Sequence, residues 1–170
     1  ETDAFIGGLR ERLEADGHAE DTVLMLFTDH YCKYFSDAEF ISAIKGETDR
    51  NMLSNVPFVI WTEGITPQVY DKYVSTMDIA PTIVDLFSLD ADLRYYIGND
   101  MFGPDGGVVY FRNYAWYDGK TYDTGNDASS NPAVLAMREQ VREQLDVSQD
   151  TFRYDYFAYL QRRGILNPDE

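Results

Sequence analysis

The sequence predicts an α/β fold: part of a sheet sandwiched by helices, followed by a small antiparallel sheet with helices of its own. Three observations carry that reading. Residues 23–27 (VLMLF) form a short, uninterrupted apolar run, the pattern of a strand covered on both faces in a parallel sheet. Amphipathic helical patterns stand before that run and recur after it. Beyond Gly106 the pattern changes to short alternating stretches separated by turn residues, which reads as hairpins. The expected division is residues 1–105 for the α/β part and 106–170 for the small subdomain.

Composition narrows the function classes. A chain of 170 residues, 44% apolar and 15% aromatic, is enough for a hydrophobic core and argues against disorder. Thirty acidic residues against fourteen basic ones give a net charge of −16. That excess disfavours nucleic acid and close adhesion to anionic lipid, and solubility is its simplest use. The single cysteine, Cys32, excludes an internal disulfide and a cysteine-based zinc cluster. No stretch reads as a membrane span, so the chain is expected to be soluble as it stands; its start in Glu-Thr-Asp reads as a piece of a longer protein.

Taken in order, Thr2 or Asp3 caps a helix with Phe5, Ile6, Leu9 and Leu13 on one face, stopped by Gly17. Followed directly by a strand, this helix is half of a crossover unit whose partner strand is expected upstream. His18, with no ligand-type neighbour pattern, reads as a surface residue. The apolar run ends in Thr28-Asp29-His30. This puts a carboxylate and an imidazole at the carboxyl end of an interior strand, where open α/β sheets place ligands and where adjacent groups reach one ion. Read alone, the same residues are also a strand followed by a polar turn. Lys33 is an anion contact or a solvent-facing side chain, and Cys32 is filler, its soft thiolate being poorly matched to magnesium or manganese.

Ser36 to Glu39 fits a capping box at the start of a short helix with Phe40, Ile41 and Ile44 inward. Residues 46–55 read as a surface loop, and Val56, Phe58, Val59, Ile60 and Trp61 as a second buried strand with Pro57 near its start. Thr66, Pro67 and Gln68 open a turn. Residues 74–87 carry the strongest internal helix, begun by a Ser75–Asp78 box or by Asp78 alone, with Ile79, Ile83, Leu86 and Phe87 facing the sheet. Asp78 is a ligand-type residue too, but capping accounts for it. Further on, Asp118-Gly119 is expected as a two-residue hairpin turn, with Trp116 and the nearby tyrosines as packing rather than a stacking platform. Val134, Met137, Val141 and Leu145 mark one helix face; Phe152, Tyr156, Tyr159 and Leu160 mark a second, ending at Gly164, and the two are expected to clamp the hairpins.

With these stretches in view, Asp29-His30-Tyr31 on its apolar strand resembles the metal-binding strand of the alkaline phosphatase/sulfatase superfamily. It most resembles the lipoteichoic acid synthase (phosphoglycerol transferase) branch. The order agrees through Asn55-Val56-Pro57-Phe58-Val59-Ile60-Trp61, Val74-Ser75-Thr76-Met77-Asp78-Ile79-Ala80-Pro81-Thr82, Ile97-Gly98-Asn99-Asp100-Met101-Phe102 and Leu145-Asp146-Val147-Ser148. The resemblance covers nearly all 170 residues and implies the carboxyl-terminal half of an alkaline phosphatase-like catalytic domain. It implies that Asp29 and His30 are ligands of a single Mn²⁺ or Mg²⁺, held weakly or not at all by this piece, while Cys32-Lys33 departs from the glycine-containing continuation usual in that branch.

The same resemblance implies a threonine nucleophile and a further acidic ligand from the missing N-terminal half, so that the piece alone would be inactive. The parent would draw glycerol phosphate from phosphatidylglycerol or a related anionic ester, through a phosphothreonine intermediate, at the outer face of the bacterial cell membrane. No histidine follows His30, which sets the chain apart from two-metal phosphatases. Arylsulfatases and other sulfuric or phosphoric ester hydrolases are the nearest rivals, although arylsulfatases commonly carry Asn where His30 stands. An acidic extracellular binding domain without chemistry is the reading of a different class.

Overall fold

The structure, a computed structural model, describes residues 1–28, 38–49, 51–104, 107–126 and 128–166. They divide into two units, Glu1–Tyr70 and Asp71–Glu170. The class is α/β, with helices and two small antiparallel sheets.

In the first unit, helix α1 (Thr2–Ala15) has Glu1, not Thr2 or Asp3, at its N-cap. Asp3 sits inside the first turn instead, where its charge complements the helix dipole. Gly17 (φ +73°) leads the chain out, and the His18 N–H donates back to the Leu13 carbonyl at 2.8 Å. The apolar face exists but is thinly covered: Ile6, Leu9 and Leu13 are half-buried and Phe5 is 70% exposed.

Strand β1 (Val23–Leu26) pairs antiparallel with β2 (Val59–Thr62), Val23 opposite Thr62 and Leu26 opposite Val59. The Thr62 hydroxyl donates to the Thr22 carbonyl at 2.9 Å and secures the register at one end. This corrects the expected parallel neighbour and two-sided burial, since all four β1 residues are half-buried and Phe27 is exposed. An apolar run reports which residues favour burial, not which way the neighbouring strand runs. Among the described residues no third strand joins the pair.

Helix α2 (Ala38–Lys45) leaves Phe40 and Ile44 exposed, against the inward placement expected, with Ile41 half-buried. Its last residue instead organises the loop after it. The Lys45 ammonium donates to the carbonyls of Leu53 (2.6 Å) and Asn55 (2.7 Å), drawing residues 46–55 back as more than a surface loop, with a 3-10 turn (Met52–Ser54) and a buried Leu53.

The second unit is built around the start of helix α3 (Ile79–Leu86), entered through a 3-10 turn (Thr76–Asp78). Of the two starts open in the sequence, the capping box is the one formed: the Ser75 N–H donates to Asp78 Oδ2 at 2.7 Å, and the Met77 N–H donates to Ser75 Oγ at 3.3 Å. The segment after the 3-10 turn Leu93–Tyr95 docks on this box. Gly98 lies so close that a Cβ there would overlap the Met77 carbonyl. The Asn99 N–H reaches Asp78 Oδ1 (2.8 Å) and the Met101 N–H reaches Thr82 Oγ1 (2.9 Å), while the Thr82 hydroxyl donates to the Asp78 carbonyl (2.6 Å). Pro81 and Thr82 are therefore the buried residues of α3; Leu86 and Phe87, expected inward, are exposed.

Strands β3 (Val109–Tyr110), β4 (Trp116–Tyr117) and β5 (Tyr122–Asp123) form an antiparallel sheet in that order. The hairpin turn falls on Gly119-Lys120, one residue later than expected. Asp118 Oδ1 accepts the N–H groups of Lys120 (2.8 Å) and Thr121 (2.6 Å), which holds Asp118 at the turn's first position and leaves Gly119 the positive φ of +87°. Trp116 is buried, as packing requires.

Helix α4 (Pro132–Arg153) starts at Asn131, whose Oδ1 accepts the Ala133 N–H at 3.0 Å, with Pro132 in the first turn. It runs through Phe152, which is 79% exposed, so that residue does not belong to the second helix face. Asp155 (φ +49°) breaks the chain into α5 (Tyr156–Arg162), which buries Leu160 and leaves Tyr156 and Tyr159 exposed. Helix α4 does clamp the hairpins, through charge: Arg138 grips Asp123 with two hydrogen bonds, Nε to Oδ2 at 2.7 Å. Arg138 holds the Asp123 carboxyl below the ordinary aspartate value; the Trp116 indole lies near enough to add to this, though not at hydrogen-bonding geometry. The edge-on contact of Tyr73 with Tyr117 (4.7 Å between centroids) ties residues before and after Gly106 into this one unit.

Both the close approach and the ion pair can be tested. Gly98→Ala is expected to cost about 3 kcal/mol or more in urea unfolding, because the obstacle is backbone rather than a movable side chain; a loss under about 0.5 kcal/mol would contradict the close approach. Because Asp123 is depressed in the folded state, its contribution is complete above the unfolded value of about 3.9 and is lost as pH falls through the folded one. Asp123→Asn is therefore expected to unfold about 3 kcal/mol more easily at pH 7, and the gap from the native chain should close in acid; a gap independent of pH would count against the ion pair.

Candidate functional site

Strand β1 is the element that delivers the candidate metal ligands. It ends at Leu26, and the exposed Phe27 and Thr28 lead on to Asp29. Asp29, His30, Cys32 and Lys33 lie outside the described residues, as does Ser36 of the expected capping box. What is described is the approach. Because β2 runs opposite to β1, the end of β1 that leads to Asp29 lies beside the beginning of β2, where the Phe27 and Phe58 rings sit 6.3 Å apart and Val59 is 46% exposed.

His18 belongs to the other end of the same strand. Its carbonyl accepts the Thr22 hydroxyl at 2.7 Å, just before β1 begins, and its side chain is exposed. Four residues of strand span about 13 Å, so His18 stands at the end of β1 opposite the one from which the chain leads on to Asp29. Asp78 resolves in favour of the cap. It is 7% exposed, and both of its oxygens are engaged, Oδ2 with the Ser75 N–H and hydroxyl and Oδ1 with the Asn99 N–H.

The donor chemistry of the Asp29-His30 pair suits a divalent cation: a hard carboxylate oxygen for Mg²⁺ or Mn²⁺ and a neutral imidazole nitrogen that manganese also accepts. Among the described residues no group of three or more His, Cys, Asp or Glu side chains gathers to hold a metal. Among them, too, no helix is long and apolar enough to cross a membrane. Sequence reasoning missed the Asp123–Arg138 and Tyr114–Asp146 contacts. The partners lie 15 and 32 residues apart, beyond the reach of any local periodicity.

The profile of the Sulfatase family matches residues 1–89. Lipoteichoic acid synthase 2 of Bacillus subtilis (strain 168) is 24% identical over 175 residues, covering 93% of this chain and 27% of the relative. Lipoteichoic acid synthase of Staphylococcus aureus (strain USA300) is 26% identical, covering 92% of this chain and 26% of the relative. The chain thus spans about a quarter of the length of the curated relatives it matches.

The cap reading of Asp78 has a direct check. Asp78→Ala is expected to cost about 2–3 kcal/mol in urea unfolding, from the lost cap and the stranded N–H groups, while leaving Mn²⁺ affinity unchanged. Unchanged stability with weakened Mn²⁺ binding would make Asp78 a ligand after all.

Proposed function

Because this chain belongs to the sulfatase family, we propose that it is one part of a metal-dependent enzyme acting on a phosphoric or sulfuric ester, with Asp29 and His30 as two ligands of a single Mn²⁺ or Mg²⁺. The observation that carries the reading is the strand itself: β1, inside the matched region, ends at Leu26, with only Phe27 and Thr28 between it and the adjacent oxygen and nitrogen donors in the sequence. A short strand with a fixed register is a stiffer mount than a free loop, and the Thr62–Thr22 bond anchors its far end. Asp29 supplies charge and His30 a directional nitrogen. When bound, the cation neutralises oxygens of the ester under attack.

Lys33, three residues beyond His30, is suited to meet the same anionic ester. Within the family, similarity to lipoteichoic acid synthases over more than nine-tenths of the chain favours a phosphoglycerol transferase over an arylsulfatase. The donor would be phosphatidylglycerol or a related anionic ester at the outer face of a bacterial membrane. The nucleophile, and the ligands that complete the metal site, would come from a segment outside these 170 residues.

Such a divided site should bind metal poorly in this chain alone, because water fills the vacant positions and nothing preorganises them. Mn²⁺ titrated into the chain, followed by the loss of the free-ion electron spin resonance signal, is expected to bind weakly, and more weakly in Asp29→Asn and in His30→Ala. Equal affinity in all three would favour a binding domain without chemistry, its acidic surface attracting cations nonspecifically.

A further inference from the structure

A small cleft of about 60 Å³ in the second unit lies between two turns and helix α4, with Asn113, Tyr114, Gly125, Asn126, Arg138 and Arg142 among its lining residues. Arg138 and Arg142 are one helical turn apart and so share a face of α4. Their situations differ. Arg138 is 17% exposed and spends its charge on Asp123, which is itself only 5% exposed. Arg142 has no carboxylate within ion-pair distance among the described residues; its guanidinium stands 5.9 Å from the centre of the Tyr114 ring.

That ring is held from two directions. Tyr114 has a φ of +64°, a strained conformation for a residue with a side chain, and such strain tends to gather at binding sites. Its hydroxyl donates to Asp146 Oδ1 at 2.7 Å, which pushes the phenol up from its ordinary value. Among the described carboxylates near the cleft, Asp123 pairs with Arg138, and Asp146 accepts the Tyr114 hydroxyl while keeping its own charge. A ring face occupies a guanidinium without satisfying its five N–H donors. The cleft therefore sets the Arg142 guanidinium, which has no ion-pair partner among the described residues, beside the side-chain amide of Asn126.

We propose that this cleft is an oxyanion subsite that takes a phosphate or sulfate group, free or carried on a small polyol, with Arg142 as the charged donor and Tyr114 as its wall. The planar fork of arginine matches two oxygens of such a group, and the neutral Asn126 amide offers a further donor. The proposal stands on residues of the second unit alone and is independent of the role given to Asp29 and His30.

The test is a titration of the 170-residue chain followed by amide and arginine Nε resonances, with sodium phosphate against sodium chloride at matched ionic strength. Saturable shifts are expected at Gly125, Asn126 and the Arg142 Nε–H. Arg142→Gln should weaken binding about tenfold or more, and Arg142→Lys, which keeps the charge without the fork, should fall between. Sodium sulfate and glycerol 3-phosphate identify the source: tighter binding of the ester indicates a polyol phosphate, and equal binding a bare oxyanion. Unsaturable or scattered shifts in the native chain, or equal affinity in Arg142→Gln, would overturn the proposal.

Discussion

Asp78 is the constraint on which the second unit turns. One carboxylate oxygen closes the Ser75 capping box and the other receives the Asn99 N–H, so a single buried acid both starts α3 and holds the segment that returns 21 residues later. An eight-residue helix has little stability of its own in water. It persists because its first turn is capped, its Thr82 hydroxyl relays between the Asp78 carbonyl and the Met101 N–H, and Gly98 allows the backbones to approach. These contacts depend on one another: without the close approach at Gly98, the Asn99 N–H has no path to Asp78.

The hairpin end obeys the same logic with a different partner. Asp123 is buried against Arg138, and that pair joins sheet to helix α4, whose Val141 is itself fully buried. Exposed pairs such as Arg10–Glu14 and Arg94–Asp92 contribute little by comparison, because water already solvates both charges. The first unit is fastened differently, by the β1–β2 register and by Lys45 on two carbonyls. Among its described residues it leaves Phe5, Phe27, Phe40 and Ile44 exposed.

Much of this is legible locally. Helix starts and stops are visible wherever a residue acts on its own backbone neighbours, as at Ser75–Asp78, Asn131-Pro132 and Gly17. The sequence locates the hairpin turn to within one residue; the offset arises because Asp118 binds the turn's N–H groups from outside it. What periodicity does not show is the identity of each partner. The VLMLF run announces a strand that favours burial but not the antiparallel neighbour it has. The faces of α2 and α3 are marked by Phe40, Ile44, Leu86 and Phe87, which the structure leaves exposed, because apolar spacing states a preference that only a facing element can satisfy. Asp123 with Arg138 and Tyr114 with Asp146 are invisible for the reason that long-range contacts always are, since nothing in the spacing of either partner points to the other. The candidate ligands are read from residue type and position at a strand end, and there the structure describes the strand and its approach.

The functional account rests on a strand that ends two residues before two unlike donors adjacent in the sequence. Sulfatase-family membership and the stiffness of the β1–β2 pair both support it, and neither depends on the oxyanion cleft or on the acidic surface. The most direct measurement is electron–nuclear double resonance of Mn²⁺ bound to the chain with nitrogen-15 in its histidines. The account expects a nitrogen coupling from one directly bound imidazole that survives His18→Ala and vanishes in His30→Ala. A spectrum showing only water protons, or a nitrogen coupling untouched by His30→Ala, would contradict it.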